Sequence, residues 1–205
     1  MTNNEVHLSA TPMVLWARRF LQRNRIRISL VVVGSLIAAD MIRGERPHSV
    51  IDSFDAWSAI GVLFVFIGNI IRTWAAGVLH KNAALSTKGP YAISRNPLYL
   101  GSFLMMFGFC TLLGAWYNFA VMLLLAVLLY WPQIKGEETH LQRKFGQHWN
   151  EYARSTPRLL PRRVTVRGAY AEWSLAQWWR NKEYMAVLGS ALGLLVFQAW
   201  FELSN

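Results

Sequence analysis

The chain has 205 residues, 54% of them hydrophobic, and a formal net charge of +10 at pH 7. Its apolar residues fall in blocks with the cations between them, a pattern unlike a soluble globule and unlike a basic stripe for nucleic acid; contact with anionic lipid headgroups is the simpler account of the charge. The single cysteine, Cys110, excludes an internal disulfide and a CxxC metal site, and within an apolar run it reads as a small buried hydrophobe.

Residues 1–24 are mostly polar, and their arginines precede the first apolar block instead of framing a short signal core, so no cleavable signal is expected. Residues 13–22 mix Val14, Leu15, Trp16, Phe20 and Leu21 with Arg18 and Arg19, a pattern suited to lying along a membrane surface. Five spans are predicted. The first, residues 26–42, ends near Asp40, which is expected at the interface. The second, residues 57–79, is interrupted by Asn69 and Arg72; such a charge faces protein or water, or snorkels to the near boundary. The third and fourth, residues 98–113 and 119–134, form a hairpin around the polar break 114–118. Each is expected to cross the bilayer as a helix, its 16 residues spanning about 24 Å at roughly 1.5 Å per residue against a core of about 30 Å. Residues 156–163, with Pro157 and Pro161, read as an irregular connector, and residues 171–180, rich in tryptophan, as a second surface segment. The fifth span is Tyr184–Leu203.

Lys and Arg placement orients these spans. Arg18, Arg19, Arg23, Arg25 and Arg27 precede the first; Lys81, Lys88 and Arg95 follow the second; ten cations from Lys135 to Lys182 follow the fourth. The other side has only Arg43 and Arg46. The bias places the N-terminus inside and the C-terminus outside, as expected in a bacterial cytoplasmic membrane.

The hairpin returns the chain to its starting side, so two polar motifs converge there. The first contains Gly89-Pro90-Tyr91 and Arg95-Asn96-Pro97-Leu98-Tyr99-Leu100-Gly101; the second is Glu137-Glu138-Thr139-His140-Leu141. Asn96 and Pro97 alone read equally well as a helix start, since Asn caps helices and Pro favours the first turn. A helix start also offers free N–H groups to an anion, and Arg95 adds a cation beside it. Glu137 and Glu138 are either a solvated pair or a site where one carboxylate holds a cationic ligand group and the other braces an arginine. His80, His140 and His148 lack metal-ligand spacing and read as surface residues; no metal site is expected.

At these residues the sequence resembles the isoprenylcysteine carboxyl methyltransferase and phospholipid methyltransferase family of integral membrane enzymes. The family pattern is Arg-His-Pro-x-Tyr-x-Gly, an apolar hairpin, then Glu-Glu-x-x-Leu. Arg72-Thr73-Trp74-Ala75 before the motifs, and Phe145-Gly146, Tyr152, Pro157-Arg158 and Pro161 after them, extend the similarity over residues 70–161. The resemblance implies S-adenosylmethionine as methyl donor, bound at the cytoplasmic face by Leu85, Ser86, Tyr91, Asn96, Pro97, Leu98, Tyr99 and Glu137. The expected catalytic residues are Arg95, orienting the glutamate pair or the acceptor's anionic group, and Glu138, bracing Arg95 or a neighbouring arginine. Two departures stand out: Asn96 replaces the family's His and cannot titrate, and Gln133 replaces a basic residue that serves the substrate in the prenylcysteine enzymes.

The expected protein is therefore an all-α, polytopic membrane bundle of about five transmembrane helices with a cytoplasmic cofactor site. It forms one membrane domain over residues 1–205: a basic segment 1–25, a methyltransferase core 70–161, an interfacial segment 162–183 and an added span 184–203. Its expected partners are membrane lipids and a lipophilic small-molecule acceptor, not nucleic acid. Two rivals remain open: a membrane reductase using a nicotinamide cofactor, and a non-enzymatic scaffold whose motifs only cap helices.

Overall fold

The computed structural model describes residues 12–52, 54–80, 84–161 and 171–204, and every regular element among them is helical. The long helices are α1 (Pro12–Ile42), α2 (Ala56–Val78), α4 (Pro97–Leu113), α5 (Trp116–Leu125), α6 (Trp131–Phe145) and α9 (Tyr184–Leu203). Shorter ones are α3 (Pro90–Ile93), α7 (Gln147–Ser155) and α8 (Leu175–Arg180).

Antiparallel α2 and α4 form the spine, and glycine sets their spacing. Gly61 and Gly68 lie seven residues apart on α2, as do Gly101 and Gly108 on α4, so each pair shares a face two turns apart. A Cβ on Gly68 would stand 2.6 Å from the Gly101 carbonyl oxygen, and one on Gly108 would stand 2.5 Å from that of Gly61. Lipid tails are as apolar as leucine, so helices in a bilayer gain from close backbone approach more than from burial itself. At the far end the chain reverses at Gly114, whose φ of 80° suits a residue without Cβ.

α5 and α6 are one continuous rod joined by a π-helical turn at Ala126–Tyr130. Pro132 follows within the first turn of α6. Its ring crowds the preceding turn and its nitrogen donates no hydrogen bond; the wider turn absorbs both defects. This rod, α2 and α9 turn leucine, isoleucine and phenylalanine outward: Leu63, Phe66, Leu124, Leu128, Leu192 and Leu195 are all more than half exposed. An apolar outer face over a thin core is the pattern of a lipid-embedded bundle.

The expected span count changes in detail. Among the described residues, three helices are long and apolar enough to cross a membrane: Ala56–Val78, Trp116–Phe145 and Tyr184–Leu203. Pro97–Leu113 is apolar but shorter. The first predicted span is the second half of α1, a 31-residue helix that runs unbroken from the arginine-rich segment, which dilutes its hydropathy. The surface role expected of residues 13–22 rests on side chains outside the described residues. Asp40 is fully buried and not interfacial: it accepts hydrogen bonds from the Tyr117 hydroxyl and from Asn118 Nδ2 (2.8 Å). Residues 171–183 do not lie free on a surface but clasp the end of α2. Trp173 Nε1 donates to the Thr73 carbonyl (3.0 Å), the Ser174 N–H to Gly77 (3.0 Å), and Asn181 Nδ2 to Ala76 (2.8 Å) and Leu79 (2.9 Å). The carbonyls of Ala76, Gly77 and Leu79 are among those a helix C-terminus leaves unpaired. Residues 162–170, part of the expected interfacial segment, lie outside the described residues.

Candidate functional site

A cavity of about 610 Å³ opens at the end of the bundle that carries both motifs. The end of α2, residues 84–86, α3, the start of α4, Tyr130 on the π-helical turn, α6, α7 and the Asn181–Glu183 turn all contribute to its wall.

Behind the wall, Glu138 organises the motif end. It is 7% exposed and accepts from Asn96 Nδ2 (3.1 Å), from Arg158 Nε (2.9 Å) and from a terminal Arg158 nitrogen (2.7 Å), with Arg95 at 3.6 Å. The first motif is also tied by backbone: the Arg95 N–H donates to the Pro157 carbonyl (2.9 Å), and Asn96 Nδ2 to that of Arg158 (3.1 Å). Asn96 thus occupies the capping position of α4, but its side chain makes no cap. The buried carboxylate of Glu138 draws its amide away, and Pro97 leaves one fewer backbone donor to cap. α6 continues to Phe145, so the two glutamates sit inside a helix and not at its unfavourable C-terminal end.

The face toward the cavity is different. Glu137 is exposed and accepts from the Tyr99 hydroxyl (2.8 Å) and Gln133 Nε2 (3.0 Å). Tyr91 is held by packing against Ala75 and Val78 and by the Tyr152 hydroxyl, which donates to its carbonyl (2.7 Å). Among the described residues its own hydroxyl, which is buried, has no hydrogen-bond partner, nor has the buried Nε of Arg95. Burial, aided by neighbouring Tyr152, pushes the Tyr91 phenol well above its ordinary range and keeps it a proton donor. Unpaired buried donors are costly and rare, and both of these residues line the cavity.

Deeper along α2, Arg72 uses four of its five N–H donors. Its Nε and one terminal nitrogen donate to Glu183 at 2.7 and 2.9 Å, and the other terminal nitrogen donates to Ser102 Oγ (2.5 Å) and the Leu98 carbonyl (3.3 Å). Glu183 is 3% exposed and stands directly before α9. Arg72 therefore faces protein and does not snorkel.

Of the residues singled out from sequence, Leu85, Ser86, Tyr91, Arg95, Leu98, Tyr99 and Glu137 line the cavity; Asn96, Pro97 and Glu138 stand behind it. His80 and His140, read as surface residues, are exposed and also line it. Sequence reasoning missed Glu183, Ser102, Tyr130 and Asn181. Glu183 had a signal: an acid at the mouth of an apolar run, in a chain with one arginine inside another run.

A family model described as phospholipid methyltransferase matches residues 56–148, from the start of α2 into α7. A nickel-cobalt-cadmium resistance protein of Alcaligenes xylosoxydans xylosoxydans is 31% identical over 189 residues, covering 89% of this chain and 80% of that protein. A cobalt-zinc-cadmium resistance protein of Cupriavidus metallidurans is 33% identical over 156 residues, covering 73% and 69%. The protein-S-isoprenylcysteine O-methyltransferase of Schizosaccharomyces pombe is 31% identical over 119 residues, covering 51% and 48%. No solved structure matches the chain significantly.

Proposed function

We propose that this chain, which belongs to the phospholipid methyltransferase family of integral membrane proteins, transfers a methyl group from S-adenosylmethionine to a lipophilic acceptor. The observation that carries the reading is the pairing, on one cavity, of an exposed carboxylate at Glu137 with two unpartnered buried donors, Tyr91 and Arg95. That set suits a ligand with both an ammonium and a carboxylate, as the donor has at its amino-acid end. The cavity of about 610 Å³ also falls within the roughly 300–1,000 Å³ usual for small-molecule sites.

In this reading Glu137, oriented by Tyr99, holds the ammonium, while Arg95 Nε and the Tyr91 hydroxyl hold the carboxylate. Leu85, Ser86 and Leu98 pack around the remainder. Asn96 and Pro97 act behind the wall by fixing the start of α4, and Glu138 is a positioning residue that holds Arg95 in place. The bound donor supplies an electrophilic methyl group on a sulfonium. Transfer from it is an in-line displacement, so the chain's task is alignment and exclusion of water more than acid–base power. Asn96 cannot titrate, so any proton leaving the acceptor goes elsewhere. The acceptor enters from the bilayer and the donor from the cytoplasm, with the N-terminus inside and the C-terminus outside. The bundle acts as one membrane domain with its core at residues 70–161 and α9 as an added span.

The test is incubation of purified protein with methyl-labelled donor and native membrane extract, followed by identification of the labelled product. The names of two relatives make cells grown with cobalt or cadmium the first source of extract. Absence of donor binding by calorimetry, together with absence of a labelled product, would overturn the reading.

A further inference from the structure

Two carboxylates and two guanidinium groups line the cavity: Glu137 and Glu183, Arg72 and Arg95. The proposed donor site uses Glu137 and Arg95 at the motif end. The acceptor must approach from the bilayer, where the wall carries Arg72, Ser102 and Glu183. Arg72 lies six residues inside the end of α2, about 9 Å along the helix axis. An unpaired arginine at that depth would attract an amphiphile with an anionic head. This arginine is not unpaired. Four N–H bonds run to Glu183, Ser102 and Leu98, and the Glu183 contact is bidentate, the strongest arrangement open to a guanidinium. Glu183 in turn is nearly inaccessible, at 3% exposure, so an incoming anion would have to displace a buried carboxylate to reach the cation.

We propose that Glu183 is a specificity-determining residue: by saturating Arg72 it leaves the membrane-side wall without net charge and selects an acceptor amphiphile with an uncharged head over one with an anionic head. Gln133 acts in the same direction, because no cation stands one turn before Glu137 to replace Arg72. Glu183 lies outside the segment matched by the family model, residues 56–148. The inference rests on the methyltransferase reading for the word acceptor, but its test reads binding.

The experiment uses the full chain in lipid nanodiscs. A 16-carbon alcohol bearing a diazirine is crosslinked to the cavity, and competition is measured with hexadecanol and with hexadecanesulfonate, which is anionic at every pH used. The wild type should favour hexadecanol by about tenfold or more. Glu183→Gln, which frees Arg72, should bring the sulfonate to parity or better, and Glu183→Gln with Arg72→Gln should cancel that gain. A latch that merely fastened α9 would not change the ratio of the two competitors. If Glu183→Gln does not fold, Glu183→Asp, which withdraws the carboxylate while keeping its charge, should lower the ratio in part. Equal competition in the wild type, or an unchanged ratio in folded Glu183 variants, overturns the proposal. Donor calorimetry runs in parallel: its failure removes the methyltransferase reading and leaves the headgroup result to stand or fall by itself.

Discussion

Glu138→Gln is the most informative perturbation of the motif end. It removes the charge that receives Arg158 at 2.9 and 2.7 Å, Asn96 at 3.1 Å and Arg95 at 3.6 Å. Breaking a buried ion pair on one side costs roughly 3–5 kcal/mol. Here the Arg158 side chain is 35% exposed and recovers water, while Arg95 at 14% recovers little, so we expect about 2–3 kcal/mol. Arg158→Gln alone should cost less, about 1–2 kcal/mol, and the double variant should fall short of the sum by about 1–2 kcal/mol. Reversible unfolding in mixed detergent and SDS micelles, followed by tryptophan fluorescence, measures all three. Because Glu138 stands behind the cavity, donor affinity should fall only severalfold, in step with loss of Arg95 placement. Additive stabilities would refute the coupling of Glu138 to Arg158. Unchanged stability with abolished donor binding would make Glu138 a ligand.

Glu137→Gln should weaken donor binding by roughly 1.5–3 kcal/mol with little effect on unfolding, since it removes a charge-assisted bond on an exposed side chain; calorimetry on the folded variant decides. Gly68→Ala should destabilise by about 1–3 kcal/mol, because its Cβ would sit 2.6 Å from the rigid Gly101 carbonyl oxygen and force α2 from α4; the same micelle titration reads it. Tyr152→Phe should flatten the loss of stability at high pH: burial holds this phenol above its ordinary range, so above about pH 10 the unfolded state releases a proton that the folded state keeps. The wild type should then lose about 1.4 kcal/mol per pH unit more than the variant, and equal slopes would contradict the burial argument. Reporter fusions after Ser86, Asn118 and Asn205 should read inside, outside and outside; an inside signal at Asn205 would mean that α9 does not cross.

What the sequence revealed and what it hid divide along physical lines. Apolar blocks longer than a bilayer is thick announce themselves, so α2, the rod of α5 and α6, and α9 were legible. The convergence of Arg95, Tyr99 and Glu137 followed from a hairpin of two crossings and short turns. Buried polar pairing across many residues was not legible. Asn96 reads locally as a cap, and only the fold shows that Glu138, 42 positions on, competes for its amide. Asp40 reads as interfacial because it stands near a span end, and only packing against Tyr117 and Asn118 makes it a buried acceptor. The π-helical turn is also invisible to apolar periodicity, which does not register one extra residue in a uniformly apolar rod.

The segment matched by the family model ends at residue 148, yet it contains two charges whose partners lie beyond it. Arg72 pairs with Glu183, and Glu138 pairs with Arg158. In water either group could be left to solvent. Here neither can: Arg72 sits within an apolar helix long enough to cross a membrane, and Glu138 is buried. The apolar flank of α9 is replaceable by lipid at little cost, because acyl chains are as apolar as its leucines. The carboxylate of Glu183 has no such substitute. The C-terminal end is held by buried polar contacts, Glu183 to Arg72, Ser190 to Asn69, and Asn181 to the last carbonyls of α2, together with the packing of Phe197 against Leu112 and Leu113. Lys182, in the left-handed region at φ 57°, makes the turn that brings Glu183 inward from α8. A backbone conformation unfavourable to lysine is tolerated at the point where it delivers the acid to the arginine, so the last span is docked by charge and polar geometry as well as by Phe197, and its outward leucines are left for the lipid.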